Sequence, residues 1–305
     1  SLEFAEKIVS LLVSLGIHKV TVIGGEPTLW KNLLDFNQRC QEKDFKTTLV
    51  TNAARFASDS FWDEYCKKPN TRAGVSIKAY DKDSLQRAAG VRIFEESRKG
   101  LERALSFFQC GVSVVYNTTC RGALLNLAHF AMDCGASAFS ISPCTPAFCE
   151  GEVDSRFVID HQEFVADIVE VYPYLHEITG GRLSFSMKLP LCLWPRDFVE
   201  MLIRRKQITT VCQLQFKSGI IFDVDGQIAI CNSLFDYPVG RYGEDFDDES
   251  SLVGLMNSPN VVAMYDKLTS YPSTKCIDCS KHEVCAGGCP LFWSMYDPEE
   301  VIPGW

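Results

Sequence analysis

The sequence predicts an α/β protein: a partial (β/α)6 TIM-type barrel lacking its first strand, followed by a small cysteine-rich α+β domain. Three observations predict it. Helical and strand patterns alternate at short intervals over residues 1–142, the alternation stops at Ser142, and seven of the 14 cysteines follow one another between Cys192 and Cys289. Alternation of this kind builds a parallel sheet covered by helices. An open barrel is one closure of such a sheet, and a doubly wound sheet is the alternative.

The elements follow in order. Phe4, Ile8, Leu11, Leu12 and Leu15 recur at helical spacing, and Gly16 stops that helix. Lys19–Ile23 is β-rich and ends at Gly24-Gly25. A second helix runs through Leu29, Leu33, Leu34 and Phe36; a strand at Thr47–Thr51, a helix at Phe61–Cys66 and a strand at Ala73–Ile77 follow. A helix over Phe94–Phe108, a strand at Val112–Tyr116, a helix at Leu124–Cys134 and a strand at Ala138–Ser142 complete the series. Its first element is a helix and the chain starts without Met, so the expectation is a trimmed amino terminus that has taken the first strand with it.

Pro143, Pro146 and Gly151 mark an irregular connection, so residues 144–207 read as a connecting, mainly helical region with a strand at Arg182–Met187. Residues 208–305 read as a separate cysteine-bearing domain. Within it Gly219–Ile230 forms a hairpin turning at Asp225-Gly226, and the acidic run 244–249 reads as a solvated loop.

Composition narrows the function classes. Lys+Arg 30 against Asp+Glu 39 gives a net charge of −9, which argues against a broad nucleic-acid-binding face. No apolar run reaches the ~20 residues that span a bilayer, and Ser1–Phe4 lacks the basic start of a signal peptide. Many cysteines without a secretion signal point to a reducing, cytoplasmic setting where thiols serve metals or chemistry. Cys40, Cys66, Cys110, Cys120 and Cys134 read as small buried hydrophobes, whereas Cys144 and Cys149 lie in a loop-like stretch.

Two motifs carry chemistry. Gly24-Gly25-Glu26-Pro27 stands where a strand hands over to a helix, at the strand end where barrel sites are built. Its backbone and carboxylate suit a cation such as an amino acid ammonium; an ordinary tight turn is the alternative. The second motif is Cys212-x13-Gly226-x4-Cys231 followed by Cys276-x2-Cys279-x5-Cys285-x3-Cys289, with Cys192 just upstream. Soft thiolates in such numbers suit iron–sulfur clusters. A zinc site is the competing reading, and the x5 and x3 intervals fit it poorly. His282 and Asp278, inside the array, read as surface residues.

Val22–Leu29 around Gly24-Gly25-Glu26-Pro27 resembles the glycine-glycine-glutamate-proline motif of the radical S-adenosylmethionine (radical SAM) superfamily, and Leu49-Val50-Thr51-Asn52 also looks like the family. The cysteine array resembles the SPASM extension of that superfamily. The resemblance implies a partial barrel presenting S-adenosylmethionine to a [4Fe–4S] cluster, whose reduction yields a 5′-deoxyadenosyl radical. It implies cofactor contacts at Gly24, Gly25, Glu26, Pro27, Thr51, Asn52, Ser76, Lys78 and Asn117, although Ser76, Lys78 and Asn117 read equally well as ordinary strand-end polar residues. It further implies two auxiliary [4Fe–4S] clusters. Cys212, Cys231 and Cys289 with Cys192 would hold the first; Cys276, Cys279 and Cys285 would hold the second, left open at one iron or completed by an oxygen ligand such as Asp297. The family's catalytic Cys-x3-Cys-x2-Cys triplet occurs nowhere in the sequence. Truncation explains that, and the chain as it stands is then expected to be inactive alone.

SPASM-type members mostly modify peptides or proteins. The resemblance therefore implies a maturase that crosslinks a precursor peptide by thioether or carbon–carbon bonds, fed by a donor such as flavodoxin or ferredoxin. A sulfatase-maturase-like oxidase is the nearest enzyme alternative, weakened because Asn232 stands where that branch carries an Asp base. A non-catalytic iron–sulfur or peptide-binding scaffold is the alternative of another class.

Overall fold

The computed structural model describes residues 1–210 and 212–305. Helix α1 (Leu2–Ser14) starts at Ser1, whose side chain accepts the Phe4 amide, and it buries Ile8, Val9, Leu11 and Leu12. Strands β1 (Lys19–Val22), β2 (Lys46–Thr51), β3 (Arg72–Ser76) and β4 (Val112–Tyr116) alternate with α2 (Leu33–Glu42), α3 (Asp59–Lys67), α4 (Lys82–Ala89) and α5 (Phe94–Phe108). Helix α6 (Leu124–Asp133) then leads into β5 (Phe139–Pro143). The short pair β6 (Ala147–Cys149) and β7 (Glu152–Asp154) precedes α7 (His161–Ile178), β8 (Leu183–Ser186), α8 (Arg196–Arg204) and β9 (Ile208–Thr209).

One seven-stranded sheet has the order β1-β2-β3-β4-β5-β8-β9. The registers from β1 to β4, and from β8 to β9, are parallel, with Val22 opposite Leu49, Leu49 opposite Ala73, Val75 opposite Val112 and Phe185 opposite Ile208. The spatial order follows the chain order throughout. A doubly wound sheet would reverse at a switch point, so the winding is that of a partial barrel. The alternation does not end at Ser142 as the sequence suggests. Strands β8 and β9 continue the sheet, and β9 is too short to register as a periodic pattern.

The chain divides into two compact units. The first comprises residues 1–115, 119–141 and 171–183, and the second comprises residues 116–118, 142–170 and 184–305. In the first, Leu49, Val75, Leu105, Leu127 and Phe139 are fully buried. Phe56 and Tyr65, with ring centroids 4.7 Å apart, close the layer under α3. A buried polar knot lies beside them. The Asn37 amide donates to Lys68 O (3.0 Å) and Asn70 Oδ1 (2.9 Å), Asn70 returns a bond to Asn37 Oδ1 (2.9 Å), and the Tyr65 hydroxyl donates to Asn70 Oδ1 (2.9 Å). Every amide position there has a partner, as burial requires.

Helix α4 is absent from the sequence reading. It is short and buries only Ser84 and Leu85, so it shows no apolar stripe; a reciprocal capping box between Asp81 and Ser84 starts it instead.

The second unit contains β10 (Ile221–Phe222), β11 (Gln227–Ala229) and β12 (Gly240–Arg241), which form a small antiparallel sheet, with Ile221 opposite Ala229 and Ile228 opposite Gly240. The Asp223 carboxylate accepts the Asp225 and Gln227 amides and so fixes the hairpin turn at Asp225-Gly226. Helices α9 (Glu249–Met256) and α10 (Pro259–Thr269) follow. The acidic run is partly structural, because Asp248 caps α9 by accepting the Ser251 amide and Asp245 accepts the Arg241 amide. Leu214, Ile230, Leu234, Val261, Tyr265 and Leu291 form this unit's core, and Cys212, Cys231 and Cys289 pack against it. The one-turn helices α11 (His282–Cys285) and α12 (Pro298–Val301) complete the chain.

Candidate functional site

Parallel strands bring their carboxyl ends to one edge of the sheet. In the first unit that edge carries Gly24–Pro27 after β1, Thr51 and Asn52 at the end of β2, and Ser76 and Lys78 at the end of β3. Gly24 has φ +153°, a backbone region essentially closed to other residues, and no atom lies within 4 Å of the side-chain position at Gly24 or Gly25. The loop is therefore bare backbone, open on its outer side.

Glu26 is held by this loop and holds it in turn. Its Oε1 accepts the Thr28 amide (3.1 Å), the Thr28 hydroxyl (2.7 Å) and the Thr51 hydroxyl (2.6 Å), while Oε2 accepts the Asn52 amide (2.9 Å). Thr28 and Thr51 are both buried. One carboxylate thus ties the loop after β1 to the end of β2, across 25 residues of sequence. Pro27 is buried at the first position of the 3-10 turn that Glu26 caps. The Asn52 side chain accepts the Ala54 amide (2.9 Å) and turns the chain away from the sheet end. Ser76 is half-buried and Lys78 exposed. Asn117 follows β4 and belongs to the second unit, where it is half-buried.

Beside Cys144 and Cys149, the second unit holds seven cysteines that fall in two sets. Cys212, Cys231 and Cys289 form one. Burial pushes the Cys289 thiol up to about 12, opposed by the Leu291 amide and the Lys188 charge, and the neighbouring Cys231 and Cys212 push it further. Burial also raises Cys231, with Cys212 adding to the rise and Lys188 opposing it. Cys276, Cys279 and Cys285 form the other set. Cys192 joins it. Burial pushes the Cys192 thiol up to about 11, and Cys285 and Cys276 add to the rise. The family pattern implies Cys192 with Cys212, Cys231 and Cys289, whereas in the structure it lines the cavity that Cys276, Cys279 and Cys285 line. The reason is local: the one-turn segment Leu191–Leu193 lies against the α11 turn, with the Leu191 amide donating to Cys285 Sγ (3.2 Å).

Gly287 and Gly288 make this approach possible. A side chain at Gly287 would stand 2.5 Å from Pro272, and one at Gly288 would stand 2.6 Å from Pro190 and 2.8 Å from Lys188 O. Both have φ above +70°. Gln215 donates to Ala286 O and Gly288 O, and the Cys289 amide donates to Lys188 O (2.6 Å).

The other residues singled out in the sequence have these surroundings. His282 is half-buried and packs against Tyr271 with the rings tilted by 46° (4.4 Å between centroids); burial lowers its pKa. Asp278 is exposed, as expected. Asp297 caps α12 by accepting the Glu299 amide (2.8 Å). Cys40, Cys120 and Cys134 are buried, and Cys66 and Cys110 are half-buried. Among the described residues, no three His, Cys, Asp or Glu side chains stand close enough to hold one metal ion.

The profile of the Radical SAM superfamily matches residues 1–122. A GTP 3′,8-cyclase of Pasteurella multocida is 34% identical over 237 residues, covering 64% of this chain and 68% of that protein. The chain belongs to the radical SAM superfamily. A GTP 3′,8-cyclase of Mannheimia succiniciproducens is 31% identical over 243 residues, covering 66% of the chain and 70% of that protein. Against a probable GTP 3′,8-cyclase of Pyrococcus abyssi, at 27% identity, the chain spans only 34% of that protein's length. In fold the chain is similar to Streptococcus suis SuiB bound to S-adenosylmethionine, with TM-score 0.70 at 19% identity, over 99% of this chain and 70% of that one. It is also similar to anSMEcpe with bound AdoMet and a peptide, with TM-score 0.65 at 16% identity, over 94% of this chain and 80% of that one.

Radical SAM membership makes the protein an enzyme that uses S-adenosylmethionine and a [4Fe–4S] cluster. The bare, outward-facing backbone at Gly24-Gly25 fits the amino acid part of that cofactor. For the catalytic cluster no ligand is assigned, since its triplet is absent from the sequence. No helix among the described residues is long and apolar enough to cross a membrane. Thr28, Lys188, Gly287 and Gly288 are the site residues that sequence reasoning missed. The Gly-Gly pair between two cysteines was the visible sign.

Proposed function

We propose that the full-length protein is a cytoplasmic radical SAM peptide maturase with a SPASM-type carboxyl-terminal domain. On this reading the seven-stranded sheet, β8 and β9 included, belongs to the catalytic barrel, and the cysteine-bearing residues 212–305 form the auxiliary domain. Cys212, Cys231, Cys289, Cys276, Cys279 and Cys285 serve auxiliary [4Fe–4S] clusters, fed by a flavodoxin- or ferredoxin-type donor. The observation that carries the reading is the likeness to SuiB over 99% of this chain, cysteine-bearing region included. SuiB has also been solved bound to its precursor peptide SuiA, with TM-score 0.61 to this chain.

The residues divide the work as follows. Gly24 and Gly25 offer backbone carbonyls to the methionyl ammonium. Glu26, through Thr28, Thr51 and Asn52, holds that loop in register with the end of β2. Pro27 stiffens the exit, while Ser76 and Lys78 supply polar contacts for the ribose and carboxylate. The bound cofactor supplies a 5′-deoxyadenosyl radical that removes hydrogen from the substrate. Donor chemistry supports iron over zinc: soft thiols gathered in this number suit a polynuclear cluster.

A second reading is favoured by the identity to the cyclases: chemistry on GTP. Both readings are tested on the full-length protein, reconstituted anaerobically and reduced with S-adenosylmethionine present. Reconstitution is expected to give about twelve irons, as about four for each of three cube clusters. A precursor peptide encoded beside the gene should lose hydrogen as 5′-deoxyadenosine forms. Consumption of GTP with the peptide unchanged would overturn the maturase reading.

A further inference from the structure

We infer that Cys192 is the fourth thiolate of the second set, closing it with Cys276, Cys279 and Cys285 as a four-cysteine site for a [4Fe–4S] cluster. This leaves Cys212, Cys231 and Cys289 as a set of three. The inference rests on the proposal that these sets hold iron–sulfur clusters.

Four observations converge on it. All four cysteines line one small cavity, with Leu191, Ile302 and Trp305 as its apolar lining. Four soft thiols facing one cavity make the ligand set that a cube cluster takes.

The second observation is the reach of each thiol. Cys192 feels Cys285 and Cys276, Cys276 feels Cys285 and Cys279, and Cys285 feels Cys279. These links form one connected group that includes Cys192. In the other set, Cys212 and Lys188 act on Cys231, and Lys188, Cys231 and Cys212 act on Cys289.

The third is the supply of backbone donors. Cys285 receives the Leu191, Gly287 and Gly288 amides, and Cys192 receives the Gly304 amide. Amides aimed at sulfur stabilise the thiolate and tune a bound cluster. The Leu191 amide, one residue before Cys192, is among them, so the segment that carries Cys192 already takes part in the site.

The fourth is charge. Four thiolates around a resting cube cluster leave a net charge of about −2. Lys275 and Lys281 both line the cavity. Lys275 is anchored by Glu299 O (2.9 Å) and Ile302 O (2.7 Å), and the Lys281 ammonium lies over the Trp305 ring. Two fixed cations match a four-thiolate cluster.

The test uses the reconstituted full-length protein, with iron per chain and the electron paramagnetic resonance of the reduced protein as readouts. Cys285→Ala marks loss of the second set and Cys231→Ala marks loss of the first. Cys192→Ala is expected to abolish or reshape the signal that Cys285→Ala removes. The double variant of Cys192 and Cys285 should lose no more iron than Cys285→Ala alone, whereas the double variant of Cys192 and Cys231 should lose both auxiliary signals. The reverse pattern assigns Cys192 to the first set and overturns the inference. Unchanged signals in Cys192→Ala overturn it too, as does loss of both sets from that single change. Cys192→Ser should keep iron but shift the second set's resonance. Stoichiometric zinc without visible cluster absorption in the unmutated protein would instead remove the iron–sulfur reading on which the inference stands.

Discussion

Removing the Glu26 carboxylate should loosen the end of the sheet before it touches any cofactor. Glu26→Ala deletes an acceptor that takes bonds from the Thr28 amide, the Thr28 hydroxyl, the Thr51 hydroxyl and the Asn52 amide. Thr28 is 1% exposed and Thr51 is 2% exposed, so their hydroxyls have little access to replacement water. A buried polar group left without its partner costs about 1–3 kcal/mol. Two such hydroxyls give a local loss of about 3 kcal/mol, allowing for relaxation of the exposed Asn52 end. At about 1.4 kcal/mol per tenfold, amide hydrogen exchange should quicken about a hundredfold in peptides covering Thr28 and Asn52. Glu26→Gln keeps one oxygen and adds a donor facing a donor, so its effect should be intermediate. Both variants should weaken S-adenosylmethionine binding in proportion to that loosening. If Glu26→Ala loses cofactor affinity while the two peptides exchange at the unmutated rate, Glu26 contacts the ligand directly and the tether argument is wrong.

Gly288→Ala should destabilise the second unit by about 2 kcal/mol or more, because a left-handed backbone costs a side chain about 1–3 kcal/mol and the new methyl would meet Pro190 and Lys188 O; thermal unfolding of the metal-free protein measures it. Asn37→Ala should cost about 3 kcal/mol in denaturant unfolding, since it strands Asn70 and Lys68 O inside the first unit. The metal-free protein should lose stability as pH rises from 9 towards 12. Cys289 has a folded value of about 12 against 9.0 for a free thiol, so the folded state holds its proton over that window and the unfolded chain does not. Tm against pH, compared with Cys289→Ala, isolates the term. Asp81→Ala should unwind α4 at a cost of about 1 kcal/mol, visible as faster exchange over residues 82–89.

Much of the fold is legible because its elements are amphipathic. Helix α5 and strand β4 fall on the residues that periodicity marks, Phe94–Phe108 and Val112–Tyr116. What escapes is what owes its form to caps or long-range pairing. Helix α4 rests on Asp81 and Ser84, and β9 exists because Ile208 and Thr209 pair with Phe185 and Ser186. The Glu26 loop was visible as a motif, yet not the fact that its carboxylate is spent on Thr28, Thr51 and Asn52. A motif gives residue types, while partners come from the strand register that sets β1 beside β2. The surroundings of Cys192 were hidden for a similar reason. Its position in the chain suits either set, and only the approach of Pro190 to Gly288 decides which thiols it meets.

With clusters at both cysteine sets, the Gly287-Gly288 turn would have a redox consequence. It is the short tether between Cys285 of one set and Cys289 of the other, and four residues of fully extended chain reach at most ~14 Å. Charge added to one centre is therefore felt at its neighbour. At an effective dielectric near 20, one extra electron at that distance costs about 1 kcal/mol. Two centres loaded at these sets would not reduce independently. Filling the first would lower the potential of the second, so the pair would accept electrons in steps that the length of one glycine turn helps to separate.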